Sequence, residues 1–330
     1  MKMLKSALQE KLEKLRPGLS AKETIVQSNC FIFQSGQILT YNDEISVSVP
    51  FDADFSCAVP AAPLLNALSK YTADELDITV EGNELKMQCG RRKNGLKIFQ
   101  DINIPLGALV QPETYVPLHP DFPLALSMVV NSCGTDQSKY VLTCVHVTPE
   151  AVEACDNYQA TRYQLRTGLD DMLIPSTSAR MLAKAHLAEA GVSNQWLFCR
   201  GQGLTYACRL FCNAYPDLSE MFKQEGASIE FPKDMTEILN GASVFSDATQ
   251  KAVNITIENG QMRVYAANDT GWFEEQTADI DYQDKLEISI NPMFMATLLK
   301  HGSICTVAPY MLLVANENYK HVTARVLSKG

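Results

Sequence analysis

Residues 253–269 read VNITIENGQMRVYAAND, and this stretch decides the fold because the chain carries its pattern three times. The other two copies are NCFIFQSGQILTYND at 29–43 and YVLTCVHVTPEAVEACD at 140–156. In each, apolar and polar residues alternate, a short turn intervenes, the alternation resumes, and an Asp closes the stretch. Alternation with a period of two marks a half-buried strand, and Ser35-Gly36, Thr148-Pro149-Glu150 and Asn259-Gly260 are turn chemistry, so each copy reads as a hairpin. The closing residues are Asp43, Asp156 and Asp269, 113 residues apart at each step.

The pattern extends outward on both sides. A helical segment precedes each hairpin, over 4–15, about 122–132 and about 233–244. In the first, Leu4, Leu8, Leu12 and Leu15 recur at helical spacing, and Pro17-Gly18 stops it. After each hairpin comes a strand end, a Pro suited to a first helical turn, and an amphipathic helix. These begin at Pro60, Pro175 and Pro292. More strands follow over 76–99, 195–212 and 303–326. The chain therefore reads as three tandem α+β units of about 110 residues, each an antiparallel sheet covered by two helices. The expected boundaries are 1–114, 115–228 and 229–330.

Composition excludes several classes. The 330 residues hold 28 Lys+Arg and 38 Asp+Glu, a net charge of −10, with 46% hydrophobic and 20% charged residues. That is ordinary globular material with no membrane-length apolar run. The first 17 residues mix Lys and Glu with Leu and do not read as a signal peptide. Ten cysteines form no C-x-x-C pair, so they read as buried thiols of a reducing cytoplasm rather than as a metal or disulfide framework. No metal or cofactor is expected. The five histidines and the absence of G-x-S-x-G, phosphate-loop and H-E-x-x-H motifs leave no catalytic constellation. Cys155 with His146 is the nearest approach to a nucleophile and base, but this Cys ends an apolar strand. The three aspartates lie in separate units, where an Asp at a strand end is turn chemistry.

Local motifs then point to a family. Asp156-Asn157-Tyr158-Gln159-Ala160-Thr161-Arg162, after the strand that starts at Leu142, resembles the second-domain Asp-Gly-(His/Tyr)-Arg-Leu segment of the bacterial-type DNA polymerase sliding clamp, the beta subunit of DNA polymerase III. Tyr215-Pro216-Asp217-Leu218 resembles that family's Phe-Pro-Asp-Tyr, and the helix starts at Val59-Pro60 and Ile174-Pro175 fit as well. The resemblance covers the whole chain and implies a divergent member. It implies a clamp fold in which two copies make a ring of six domains, helices inward and curved sheets outward, closed head to tail. Such a ring is a non-catalytic processivity factor of DNA replication: it encircles duplex DNA and tethers the replicative polymerase. The partners implied are duplex DNA, a second copy of the chain, and the polymerase and clamp loader through short linear peptides. No membrane partner is implied.

The resemblance gives the bases their meaning. The residues expected to face DNA are Lys5, Lys11, Lys14, Arg16 and Lys22 around the first helix, Lys70, Arg180, Lys184 and Lys300 on the second helices, and Lys139 and Lys233 nearby. Lys70, Lys184 and Lys300 hold matching positions, which favours a shared basic surface, although a base at a helix C-terminus also suits the helix dipole. Glu10 and Glu13 interrupt the first group, and the helix after Asp121 has no Lys or Arg at all. Loose phosphate attraction without base readout tolerates a sparse lining.

The resemblance further implies an apolar pocket for the linear peptides, built from Asn157, Tyr158, Gln159, Ala160, Pro216, Glu220, Met221, Leu313, Val326 and Leu327. Gln159 stands where the family has Arg, Glu220 stands where it has a base, and Ser328-Lys329-Gly330 departs from its usual tail. The same residues also read as plain inter-domain core. For the ring seam, the implied contacts are Leu96 and Ile98 against Val244 and Phe245, with Arg91, Arg92 and Lys93 available to acidic residues of the other copy; Lys93-Asn94-Gly95 also reads as an exposed turn. The competing class is a clamp-like scaffold that binds protein partners without encircling DNA. The sign of the charge on the helix faces separates the two.

Overall fold

The computed structural model describes residues 1–23, 25–246 and 251–326. Among them the same element order runs three times: a strand, a helix, four strands, a helix, three strands. The first pass is β1 (Lys2–Leu4), α1 (Lys5–Leu15), β2 (Cys30–Gln34), β3 (Gln37–Tyr41), β4 (Ile45–Pro50), β5 (Cys57–Pro60), α2 (Ala61–Ser69), β6 (Glu75–Glu81), β7 (Glu84–Cys89) and β8 (Arg92–Lys97). The second is β9 (Val116–Pro117), α3 (Phe122–Val129), β10 (Cys144–Val147), β11 (Ala151–Cys155), β12 (Gln159–Gln164), β13 (Met172–Pro175), α4 (Ser176–Leu182), β14 (Glu189–Ser193), β15 (Trp196–Gly201) and β16 (Leu204–Arg209). The third is β17 (Ala227–Glu230), α5 (Met235–Ser243), β18 (Val253–Glu258), β19 (Gln261–Asn268), β20 (Gly271–Thr277), β21 (Leu286–Ile290), α6 (Pro292–Leu299), β22 (Ile304–Val307), β23 (Met311–Ala315) and β24 (Tyr319–Ala324).

The chain packs as two compact units, one of residues 1–127, 147–149 and 167–213, the other of 128–146, 150–166 and 214–330. The first unit holds a sheet of order β1-β6-β7-β8 and a second of order β5-β2-β3-β4-β16-β15-β14-β9. Its α1 buries Leu8, Leu12 and Leu15, spaced as a helix face requires, and α2 buries Ala61, Leu64 and Leu68. Leu4, expected on that face, belongs to β1 opposite Glu75 and is 54% exposed. The second unit holds a sheet of order β20-β19-β18-β21 and the run β10-β11-β12-β24-β23-β22-β17. Its hairpin alternates as the sequence reads: Val253, Ile255 and Ile257 of β18 and Met262, Val264 and Ala266 of β19 are buried beneath Ile238, Leu239 and Ala242 of α5.

Two helices differ in extent from expectation. After Val129 the α3 backbone tightens into a 3-10 turn at Val130–Ser132. Helix α5 starts at Met235, so Lys233 precedes it.

The evenly spaced aspartates are not equivalent residues. The side chain that closes the turn is Asn42 in the first hairpin, accepting from the Ile45 N–H at 2.8 Å, and Asp156 in the second, accepting from the Gln159 N–H at 2.8 Å. In the third it is Asn268, accepting from the Thr270 N–H at 2.9 Å. Asp43 instead sits one residue on with φ +74° and takes Arg209 at 3.0 Å.

Each unit contains one join between strands of different repeats, and both joins have one register. At β4–β16, Ser46 faces Ala207, Val47 faces Tyr206 and Ser48 faces Thr205. At β12–β24, Ala160 faces Val322, Thr161 faces His321 and Arg162 faces Lys320. In both, the fourth residue after the turn-closing Asn42 or Asp156 meets the fourth residue after a two-residue hairpin turn, Gln202-Gly203 or Glu317-Asn318.

All ten cysteines are free thiols, nine of them buried and Cys212 exposed. Burial pushes Cys30 up to about 11 and Cys57 up to about 12, so these are inert apolar fillers. No helix among the described residues is long and apolar enough to cross a membrane. Among the same residues no group of three or more His, Cys, Asp and Glu is placed to hold a metal ion.

Candidate functional site

The basic residues fall into two sets. In the first unit α1 and α2 lie side by side, and a groove between them is lined by Glu13 and Arg16 from one helix and Pro63 and Asn66 from the other. Four bases of the α1 segment already have partners. Lys14 donates to Glu10 at 2.6 Å and Arg16 to Glu13 at 2.9 Å, while Lys5 reaches the Tyr71 carbonyl at 3.0 Å and Lys11 the Pro50 carbonyl at 3.2 Å. The ammonium of Lys14 holds the Glu10 carboxyl below its usual range. Lys22 is exposed beyond the helix, Lys70 is the exposed C-cap of α2, Arg180 is exposed on α4, and Lys184 follows the end of α4. Helix α3 presents an exposed Leu124 and no base.

In the second unit Lys300 is the exposed C-cap of α6 and Lys233 is exposed just before α5. Lys70 and Lys300 are C-caps, whereas Lys184 lies one residue past the C-cap Ala183 of α4. Lys139 lies in a 3-10 stretch and donates to Asn157 Oδ1 at 2.9 Å.

The second unit also contains a buried apolar cluster at the expected pocket. Cys155 and Ala160 from the β11–β12 turn, Leu218 and Phe222 from the segment after Tyr215-Pro216-Asp217, Leu313 of β23 and Val322 of β24 form one buried cluster. Leu142, Tyr215, Met221 and Met311 are half-buried around it. Of the expected pocket residues, Ala160, Met221 and Leu313 therefore come together.

The others do not join them. Gln159 is 7% exposed and spends its amide on Asp156 Oδ2 at 3.1 Å, because the Asp156 turn folds it inward. Tyr158 is 59% exposed and stacks on Phe294 of α6 at 6.0 Å. Asn157 is exposed and tied to Lys139, Pro216 is exposed, and Glu220 pairs with Lys223 at 2.7 Å. Val326 binds alongside β21 through the Ser289 carbonyl at 2.7 Å. Leu327 lies outside the described residues.

A buried charge cluster lies in the same β11–β12 hairpin. Glu153 is 4% exposed and lies between His146 Nδ1 at 2.9 Å and Arg162 Nε at 2.6 Å. The Arg162 guanidinium lies over the Phe222 ring at 4.9 Å, and Tyr215 stacks on His146 at 4.7 Å. The Tyr215 hydroxyl accepts the Cys155 N–H at 2.8 Å, and its own ionisation is pushed far up by burial. Burial also raises the Cys155 thiol. This Cys is part of the buried cluster and not a nucleophile, because thiol attack needs an electropositive, accessible setting. The Glu153 link was latent in the sequence: Glu153 and Arg162 are cross-strand neighbours in the β11–β12 hairpin.

Strands β8 and β20 are edge strands of the two four-stranded sheets. Leu96 is half-buried on β8, whereas Ile98, expected at the seam, is 7% exposed and already covered by its own chain. Val244 is 68% exposed at the end of α5, and Phe245 packs beside Gly271 at the start of β20.

No protein-family model matches the sequence, and no curated protein matches it significantly. Solved structures do match. The DNA polymerase III subunit beta of Pseudomonas aeruginosa aligns at TM-score 0.86 and 16% identity over 99% of both chains. The DNA polymerase III beta chain of Streptococcus pneumoniae aligns at 0.85 and 20% identity over 99% of both. The sliding clamp of Bacillus subtilis aligns at 0.85 and 16%, over 99% of this chain and 98% of that one. From end to end, this chain has the sliding-clamp fold of the bacterial DNA polymerase III beta subunits.

Proposed function

We propose that this protein is a DNA sliding clamp, a processivity subunit of the replicative polymerase that performs no chemistry of its own. One observation carries the reading: a threefold recurrence of the same ten-element order, superposing on bacterial clamps over 99% of the chain. Two copies would close head to tail into a ring around duplex DNA and act in the cytoplasm. The helix-end bases Lys70, Lys184 and Lys300, with the bases of α1 and with Lys22, Lys139, Arg180 and Lys233, would supply sequence-independent attraction to phosphate. With Lys14 and Arg16 paired to glutamates, that attraction is weak, as sliding requires. The half-buried Leu142, Tyr215, Met221 and Met311 around the buried Ala160, Leu218, Phe222 and Leu313 would take short apolar peptides from the polymerase and loader. An apolar floor with few polar groups on its rim suits that task.

The test is retention after loading onto nicked circular duplex. A clamp stays on the circle and leaves once the circle is cut. Equal retention on circular and linear DNA, or on neither, overturns the proposal and favours the scaffold reading.

A further inference from the structure

We infer that the first unit holds a small-molecule site beneath Leu106 and Leu109, and that it takes an uncharged amide or alcohol of about four or five heavy atoms. A cavity of about 110 Å³ lies there, on the face shared by β3, β4, β16 and β15. Buried Leu39 and Phe198 wall it, and Leu106 and Leu109, at a 3-10 turn over Leu106–Ala108, roof it. Ser46, Ser48 and Thr205 line it from β4 and β16, and among the described residues their hydroxyls make no hydrogen bond. The roof is tied at both ends. The buried Gln27 amide donates to the Asp101 carbonyl at 2.7 Å and accepts the Asn103 N–H at 2.8 Å. At the other end Gln111 Oε1 accepts from the Tyr115 hydroxyl at 2.5 Å and from Arg200 at 3.0 Å.

The internal repeat explains why the space is there. By the register that both joins share, Ser46 corresponds to Ala160 and Ala207 to Val322. One strand further out, Phe198 corresponds to Leu313, and Leu39 and Ser48 correspond to Glu153 and Arg162. In the second unit the Arg162 side chain fills the place, with its guanidinium 4.9 Å from the centre of the Phe222 ring and its Nε on Glu153. Phe222 ends a 3-10 turn over Ser219–Phe222, as Leu109 follows the one over Leu106–Ala108. The first unit keeps the walls and the roof but has a serine where the arginine stands. The cavity is the volume of that missing side chain, so it is shaped for a short chain with a flat polar end.

The same comparison sets the charge of the occupant. Glu153 neutralises Arg162 in the second unit, and Leu39 stands in its place in the first. No acid or base lines the cavity. A guanidinium or a carboxylate entering it would be desolvated with no counter-charge, which costs more than so small a contact returns. Each hydroxyl can both donate and accept, so the three can answer an amide carbonyl and an amide N–H together. Leu39, Phe198, Leu106 and Leu109 would cover the apolar body. Benzene fills an apolar cavity of about 150 Å³, which sets the occupant here somewhat smaller.

The test is methyl-detected NMR of the full chain with labelled leucines, titrated with three probes of one size: N-methylacetamide, methylguanidinium and propionate. N-methylacetamide should shift the Leu39, Leu106 and Leu109 methyls and saturate, with half-effect near about 10 mM, the scale on which so few atoms bind. Methylguanidinium and propionate should bind at least about tenfold more weakly. Ser48→Leu, which fills the cavity, should abolish the shifts. Thr205→Val, which keeps the shape and removes one hydroxyl, should weaken N-methylacetamide by about 3- to 10-fold and decides the matter even if the leucine variant fails to fold. Shifts that grow linearly without saturating mean uptake at solvent concentration only and overturn the site. Saturation undiminished in both variants overturns its location, and methylguanidinium binding as well as the amide overturns the class of ligand.

Discussion

Thr161 and His321 face each other across the β12–β24 join, with Thr161 Oγ1 2.7 Å from His321 Nδ1. Ser132 Oγ extends the line at 2.6 Å, and the imidazole lies parallel to the Tyr319 ring. His321 is 1% exposed, and burial, with a smaller push from His301, lowers its pKa to about 4. An unfolded His titrates near 6.5, so between the two values the unfolded chain binds the proton that the folded chain refuses. This contribution is complete above about pH 6.5 and is lost as pH falls toward about 4, by about 3 kcal/mol in all. Urea unfolding from pH 4 to 7 should show that acid limb, and His321→Asn should flatten it. An unchanged limb in the variant refutes the assignment.

Glu153 answers both His146 and Arg162 from a buried position. Glu153→Ala leaves the Arg162 charge without its anion and should cost about 3–5 kcal/mol, the usual penalty for breaking a buried pair. Glu153→Gln, which keeps the shape and one acceptor, should cost less. Thermal unfolding of the two variants decides it, and a loss below about 1 kcal/mol for the alanine variant would show that Glu153 is expendable.

Met221 packs on the buried cluster of Leu218, Phe222 and Leu313 without being fully buried itself. Met221→Glu should lower affinity for a clamp-binding peptide at least about tenfold, because a charge must be desolvated against Leu313 and Phe222. Folding stability should change by under about 1 kcal/mol, as for most partly exposed positions. Calorimetry of peptide binding beside a melting curve separates the two effects.

Glu10 and Glu13 hold two of the four α1-segment bases. Changing both to Gln should free Lys14 and Arg16 and steepen the salt dependence of DNA binding by about two phosphate contacts. If the slope stays the same, those bases do not meet the duplex.

The hairpins were legible because period-two alternation is strong at 29–43, 140–156 and 253–269. Strands β1, β9 and β17 were not, because two to four residues carry no measurable alternation. Equal spacing misled at Asp43 and Asp269: the turn is closed by the residue before each, Asn42 and Asn268. The joins β4–β16 and β12–β24 link strands about 160 residues apart, a pairing that no local pattern encodes. The apolar cluster was half legible. Ala160, Met221 and Leu313 came through the family motifs, while Leu142, Leu218, Phe222 and Val322 are ordinary apolar residues until the chain folds. Gln159 stands at the motif's polar position yet is folded inward by the Asp156 turn.

Edge strands β8 and β20 each carry a single sign of charge. On the proposed ring, two β8 edges would repel each other, as would two β20 edges, so copies would add in one polar sense. A polar addition rule does not fix how many copies assemble: the same join, repeated, makes a closed ring or an endless filament according to the angle each copy turns through. A substitution that altered that angle while sparing the charges would then convert a closed assembly into an open one, with every strand pairing still intact.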